Sequence, residues 1–190
     1  MNAILKTLRL EFADVPVIST EELEQWLQDT NKQVVVFDAR SENEYRVSHI
    51  STAIQIDHNI KWDELKQQLK SLNIQPKTSI VCYCAVGYRS SKLARTLNRM
   101  LTESKDPVAV GSCSSSTVPD PGAGGQNAED STTSGCDSAI CVYNLEGSLF
   151  KWANESRPMI DSEGKSTVVC HPYSSVWAKL LDVDKRASMD

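Results

Sequence analysis

Val34–Phe37 reads VVVF, an unbroken apolar and largely β-branched run. A strand with one wet face alternates apolar and polar residues; an unbroken run suits a strand covered on both faces. Such cover comes from helices packed above and below a parallel sheet, so this stretch narrows the chain to an α/β architecture. The flanking sequence supplies the alternation. Upstream, "VPVISTEELEQWLQDT" opens with a short β-branched run. Ser19 and Glu22 then have capping-box spacing, and Leu23, Trp26 and Leu27 form a helical apolar stripe. Downstream, Ser41 and Glu44 repeat the capping box for a short helix, and Ala53–Ile56 reads as a strand. "WDELKQQLKSL" places Trp62, Leu65, Leu69 and Leu72 on one helical face. Ser79–Cys84 ("SIVCYC") reads as a further strand. Ser90 is expected to cap a helix that turns Leu93, Ala94, Leu97, Met100 and Leu101 inward.

The periodicity then lapses. From Ser104 to Ser138 there is no aromatic residue, and Ser, Thr, Gly, Pro and Asp dominate, a composition that predicts a disordered insertion. Order is expected to resume over Ala139–Trp152, as a strand, a glycine turn and a short helix. After Pro158 the chain is polar until His171–Leu181, which reads as a docking segment ending in a helical turn. The 190 residues therefore divide into an N-terminal extension (1–14), one domain (15–158) carrying the insertion at 104–138, and a C-terminal tail (159–190).

Composition excludes some function classes. A formal net charge of −5 argues against a nucleic-acid partner, which calls for a basic face. No apolar run approaches the roughly 20 residues of a membrane span. The start, "MNAILKTLRLEF", lacks the long apolar stretch of a secretory leader. Lys6 and Arg9 give it a faint mitochondrial character that Glu11 opposes, so a cytoplasmic location is expected. The six cysteines are then read as reduced thiols. No Cys-x-x-Cys and no Cys/His cluster has metal-ligand spacing, so neither metal nor cofactor is expected.

"VCYCAVGYRSSKLA" (Val81–Ala94) carries the chemistry. Cys84 ends a strand and precedes a helix, and ligands of open α/β sheets bind at the carboxyl ends of strands. The helix N-terminus offers unpaired N–H groups, Gly87 allows the loop to curl, and Arg89 adds a fixed positive charge. All three favour the thiolate, which is the nucleophilic form of cysteine. The same residues also suit a buried structural thiol, a common fate of cysteine.

"CAVGYRS" resembles the active-site loop of the rhodanese-like sulfurtransferases, C-x-x-G-x-R. "VVVFDARSENEYRVSHISTAIQI" resembles their upstream D-x-R…E-(Y/F)…G-H-I-x-G-A segment. "VYNLEGSLFKW" is similar to their last strand, L-x-G-G-(I/L)-x-x-W. The three matches come in the family's order across Val15–Pro158. Ser48, Thr52 and Ser148 depart from it, each standing where the family has glycine. The resemblance implies a three-layer fold with a central, mostly parallel sheet flanked by helices. It implies Cys84 as the residue that takes sulfur from an anionic donor such as thiosulfate, becomes a persulfide, and passes the sulfur to a thiol acceptor, small or on a protein. The loop from Ala85 through Val86, Gly87 and Tyr88 to Arg89 would hold the persulfide, and Arg89, with Arg40, would attract the donor. Two alternatives stand beside this. One is a catalytically weak interaction or sulfur-relay module. The other is a cysteine-based phosphatase or arsenate reductase, but those relatives place arginine after five residues, whereas Arg89 follows Cys84 after four.

Outside the loop, structural roles are expected. Arg40 has the spacing to pair with Glu44, Asp38 to organise backbone N–H groups at a strand end, and His49 to be a satisfied structural histidine. Cys82, two residues before Cys84, reads as core. Lys92 and Arg95 fall on the solvated face of the loop helix, and Cys113 and Cys136 in the insertion are expected to be exposed.

Overall fold

In the computed structural model, residues 2–72, 74–103 and 140–188 are described, so the insertion expected at 104–138 lies outside the described residues. VVVF forms most of β2 (Val34–Asp38), inside a five-stranded parallel sheet. Its companions are β1 (Val17–Ile18), β3 (Ala53–Gln55), β4 (Ser79–Tyr83) and β5 (Cys141–Leu145), in the order β1-β5-β4-β2-β3. β4 pairs with β2 on one side and β5 on the other, and all five of its residues are buried.

The sheet separates two apolar layers, and the pleat sorts residues between them. Ile80, Cys82 and Cys84 face the layer that contains Phe12, Leu65, Leu93, Ala94, Leu97 and Met100. Val81, Tyr83 and Ala85 face the layer that contains Leu23, Leu149, Phe150 and Trp152. The first layer is built by α1 (Asn2–Glu11) with the residues after it, α4 (Trp62–Ser71) and α5 (Tyr88–Glu103). The second is built by α2 (Thr20–Gln28), α3 (Glu42–Val47) and α6 (Ser148–Asn154). This is the three-layer α/β arrangement, with helices on both faces of a parallel sheet. No helix among the described residues is long and apolar enough to cross a membrane.

The caps explain where helices begin. Ser19 accepts the Glu22 N–H at 3.0 Å at the start of α2. At α3 the box is reciprocal: Ser41 Oγ accepts the Glu44 N–H, and the Glu44 carboxylate accepts the Ser41 N–H. Two expectations need correction. Ser90 does not cap α5, which starts two residues earlier at Tyr88; its hydroxyl instead donates to Asn144 Oδ1 at 2.6 Å, because the glycine loop already delivers the chain in helical geometry. Cys141, half-buried at the start of β5, is disulfide-bonded rather than a reduced thiol.

Both ends of the described chain lie on the domain. α1 is fixed by an ion pair between Arg9 and Glu146, by burial of Phe12 and Val15 beyond it, and by Arg95, which bonds Asp14 and the Glu11 carbonyl. After α6, β6 (Met159–Ile160) pairs antiparallel with β7 (Ser166–Thr167), and Ile160 also bridges His49. The stretch from His171 to Leu181 ends in a 3-10 turn over Trp177–Leu180 and buries Ala178 and Leu181.

Candidate active site

Cys84 follows β4 directly and is almost wholly buried. Its Sγ accepts the N–H of Gly87 at 3.1 Å, which closes the loop on the sulfur. That closure needs Gly87 at φ +116°, where a side chain would be strained and a Cβ would sit 3.2 Å from Leu8 Cδ1. Several main-chain groups of the loop are tied to neighbouring elements. The Cys84 N–H donates to Ser148 Oγ at 3.2 Å. The carbonyls of Cys84 and Ala85 accept the N–H groups of Leu149 and Phe150, each at 3.0 Å. The Gly87 carbonyl accepts from Ser91 through its N–H (3.0 Å) and its Oγ (2.7 Å). The first turn of α6 therefore holds the loop's front half and the first turn of α5 its back half.

The charged residues are arranged differently from expectation. Arg89, one residue into α5, points at α3 and makes a two-pronged pair with Glu44, both bonds at 2.8 Å. Burial raises the pKa of the Glu44 carboxyl, but the Arg89 hydrogen bonds and charge outweigh it and hold the group at about 2, well below its ordinary 4.5. Burial likewise opposes the charge on Arg89, and Glu44 more than restores it. Arg40 was expected near the substrate or paired with Glu44 and does neither. It is fully buried and clasps Asp38, Nε to Oδ1 at 2.9 Å and Nη2 to Oδ2 at 2.6 Å, because Asp38 is turned back by its own bond from the Arg40 N–H. Arg40 also donates to the Ser48 carbonyl at 2.6 Å and so fixes the corner after α3. His49 stacks on Tyr45 with ring centroids 3.8 Å apart, and its Nδ1 lies 3.0 Å from the Tyr45 carbonyl. Cys82 is fully buried, and burial pushes its thiol far up, away from reactivity.

The family model for the rhodanese-like domain matches residues 19–114, just over half of the chain. The chain belongs to the rhodanese-like domain family. Two solved structures with a TM-score of 0.50 support the fold. The BH2092 protein of Bacillus halodurans superposes with a TM-score of 0.50 at 16% identity, over 84% of this chain and 87% of that one. A thiosulfate sulfurtransferase from Pseudomonas aeruginosa gives 0.50 at 16% identity over 94% of this chain, which spans 25% of the Pseudomonas chain. A yeast protein tyrosine phosphatase of the rhodanese family gives 0.42 at 17% identity, over 73% of this chain and 83% of that one. None of the curated proteins compared matches the chain.

Two of the departures from the rhodanese pattern now have a physical account. Ser48 sits at φ −167°, extended backbone open to any residue, so glycine is not required there. Ser148 does occupy the left-handed region, at φ +52°, and its hydroxyl is the acceptor for the Cys84 N–H. Sequence reasoning missed Ser148 as a loop partner, and it missed Glu44 as the partner of Arg89, 45 positions away. It also missed the walls of the cavity in front of Cys84. This space of about 480 Å³ is lined by Cys84, Ala85, Val86, Tyr88 and Arg89 from the loop, by one face of α1, and by Tyr173 and Trp177 from the C-terminal stretch. The signal for α1 was present as Ile4, Leu8 and Phe12 at four-residue spacing.

Proposed function

We propose that this rhodanese-like domain is a sulfurtransferase in which Cys84 carries the transferred sulfur. The carrying observation is the Cys84 Sγ at the floor of an open cavity, held by the Gly87 N–H at 3.1 Å at the carboxyl end of a parallel strand. The Cys84 thiolate attacks the outer sulfur of a donor such as thiosulfate. The donor's S–S bond breaks, its electron pair leaves with sulfite, and Cys84 becomes a persulfide. An acceptor nucleophile then takes the outer sulfur and returns the thiolate. The loop from Ala85 to Arg89 surrounds the sulfur. Arg89, already committed to Glu44, acts as a positioning residue that sets the start of α5, a change from the role of donor attraction expected for it. Arg40 has the same character one layer deeper.

The spacing weighs against phosphate chemistry. A tetrahedral oxyanion would call for a cation where Ser90 stands, and Ser90 is buried and bonded to Asn144. The test is incubation with thiosulfate followed by intact-mass measurement. The wild-type protein is expected to gain one sulfur atom, on Cys84, and Cys84→Ala none. Absence of any gain in the wild type would favour a docking module. Turnover of p-nitrophenyl phosphate would favour the phosphatase.

A further inference from the structure

From the walls of the cavity above Cys84 we infer that the acceptor of its sulfur is an organic thiol with an apolar body, such as an aryl or aralkyl thiol. The inference rests on the sulfurtransferase reading for its chemistry, but its binding component stands on geometry alone. A cavity of about 480 Å³ is far larger than a small inorganic anion needs and falls in the range that encloses an organic ligand. Its walls are chiefly apolar or aromatic: Ile4 and Leu8 from α1, Val86 and Tyr88 from the loop, and Tyr173 and Trp177 from the C-terminal stretch. Among the described residues, the charged ones lining it are Glu11 and Arg89, and Arg89 is neutralised by its two bonds to Glu44. An anionic body would find no uncommitted cation on these walls, whereas an apolar body would bury surface on them. Tyr173 rests against the Arg89 guanidinium at 4.9 Å, which joins the C-terminal wall to the loop itself.

The transfer balances without a further reagent. The thiolate R–S⁻ attacks the outer sulfur of Cys84–S–SH, and an R–S bond to that sulfur forms. The Cys84–S bond breaks, and its electron pair stays on Cys84 as the thiolate. The product R–S–SH carries the sulfur and its proton. The reverse reaction uses the same pocket, so an apolar hydropersulfide is also a donor.

The experiment has two arms. In the first, Cys84→Ser protein, which cannot form the persulfide, is titrated with benzyl mercaptan while the Trp177 indole signal is followed by NMR. Saturable binding is expected, and Ile4→Gln in the same background is expected to weaken it by about tenfold, the loss of one apolar side-chain contact. In the second, thiosulfate-loaded wild-type protein is discharged with benzyl mercaptan or with 2-mercaptoethanesulfonate, an anionic thiol of comparable basicity. The kcat/KM for benzyl mercaptan is expected to exceed the other by at least about tenfold, and Ile4→Gln to lower that ratio. Absence of saturable binding, or equal discharge by the two thiols, would overturn the inference. If thiosulfate loads no sulfur at all, the sulfurtransferase reading fails, and the first arm still decides whether the pocket takes an apolar thiol.

Discussion

The Arg89–Glu44 pair shows what a single residue contributes here. Glu44 is at once the N3 residue of a capping box and the counter-charge of the loop arginine. Glu44→Gln would leave the half-buried Arg89 charge without compensation, and we expect a loss of about 3 kcal/mol in urea unfolding. The Glu44 pKa is lowered in the folded state, so its contribution is complete above about pH 5 and is lost as pH falls from 4.5 toward about 2. Wild-type stability should drop across that window. Glu44→Gln should show a shallower drop there, and equal slopes for the two proteins would refute the assignment. The sequence told half of this. The chemistry-bearing residues of the loop are neighbours in the chain, so Cys84, Gly87 and Arg89 could be picked out together. The partner of Arg89 could not, because a pairing across 45 positions leaves no local trace. The nearer candidate for Glu44 was Arg40, and that residue is instead drawn inward by Asp38.

Among the elements, the short helix α6 holds the most leverage over the loop. Its first residue, Ser148, accepts the Cys84 N–H, and the next two donate to the carbonyls of Cys84 and Ala85. Ser148→Ala should cost about 1–3 kcal/mol by stranding a buried N–H. Ser148→Gly strands the same group but relieves the left-handed backbone, so it should be milder by about 1 kcal/mol. Denaturant midpoints of the two variants, compared with the wild type, measure both numbers. Equal midpoints would mean that the backbone at Ser148 carries no strain. Elements defined by nearby residues were legible, as the reciprocal Ser41–Glu44 cap and the single-sided Ser19 cap illustrate. The start of α5 misled because Ser90 has the chemistry of a cap, while the turn at Gly87 does the same work earlier. α1 was obscured by Lys6 and Arg9, which suggested a targeting segment, although Leu8 within it and Phe12 just past its end pack into the first layer.

For the molecule as a whole, the C-terminal stretch belongs to the packed body. Leu181 is 1% exposed and joins the layer that holds Trp152 and Phe150. Leu181→Ala should therefore cost about 3 kcal/mol and lower Tm by roughly 6–12 °C; a change within error would make the stretch a loose tail. Its apolar content was readable, but where it would land was not, since that depends on which core surface the sheet order leaves open. The sheet order has a consequence of its own for how the chain is made. β5 lies between β1 and β4, yet it is the last strand of the sheet to be synthesised. While residues 84–140 are being added, the flank of β4 that will meet β5 has no partner, and β1 has no neighbour at all. At roughly 5–20 residues per second, that interval lasts roughly 3–11 s on the ribosome. During it an apolar strand edge stands open to other nascent chains, so production of this protein should depend on chaperone cover more than its modest size suggests.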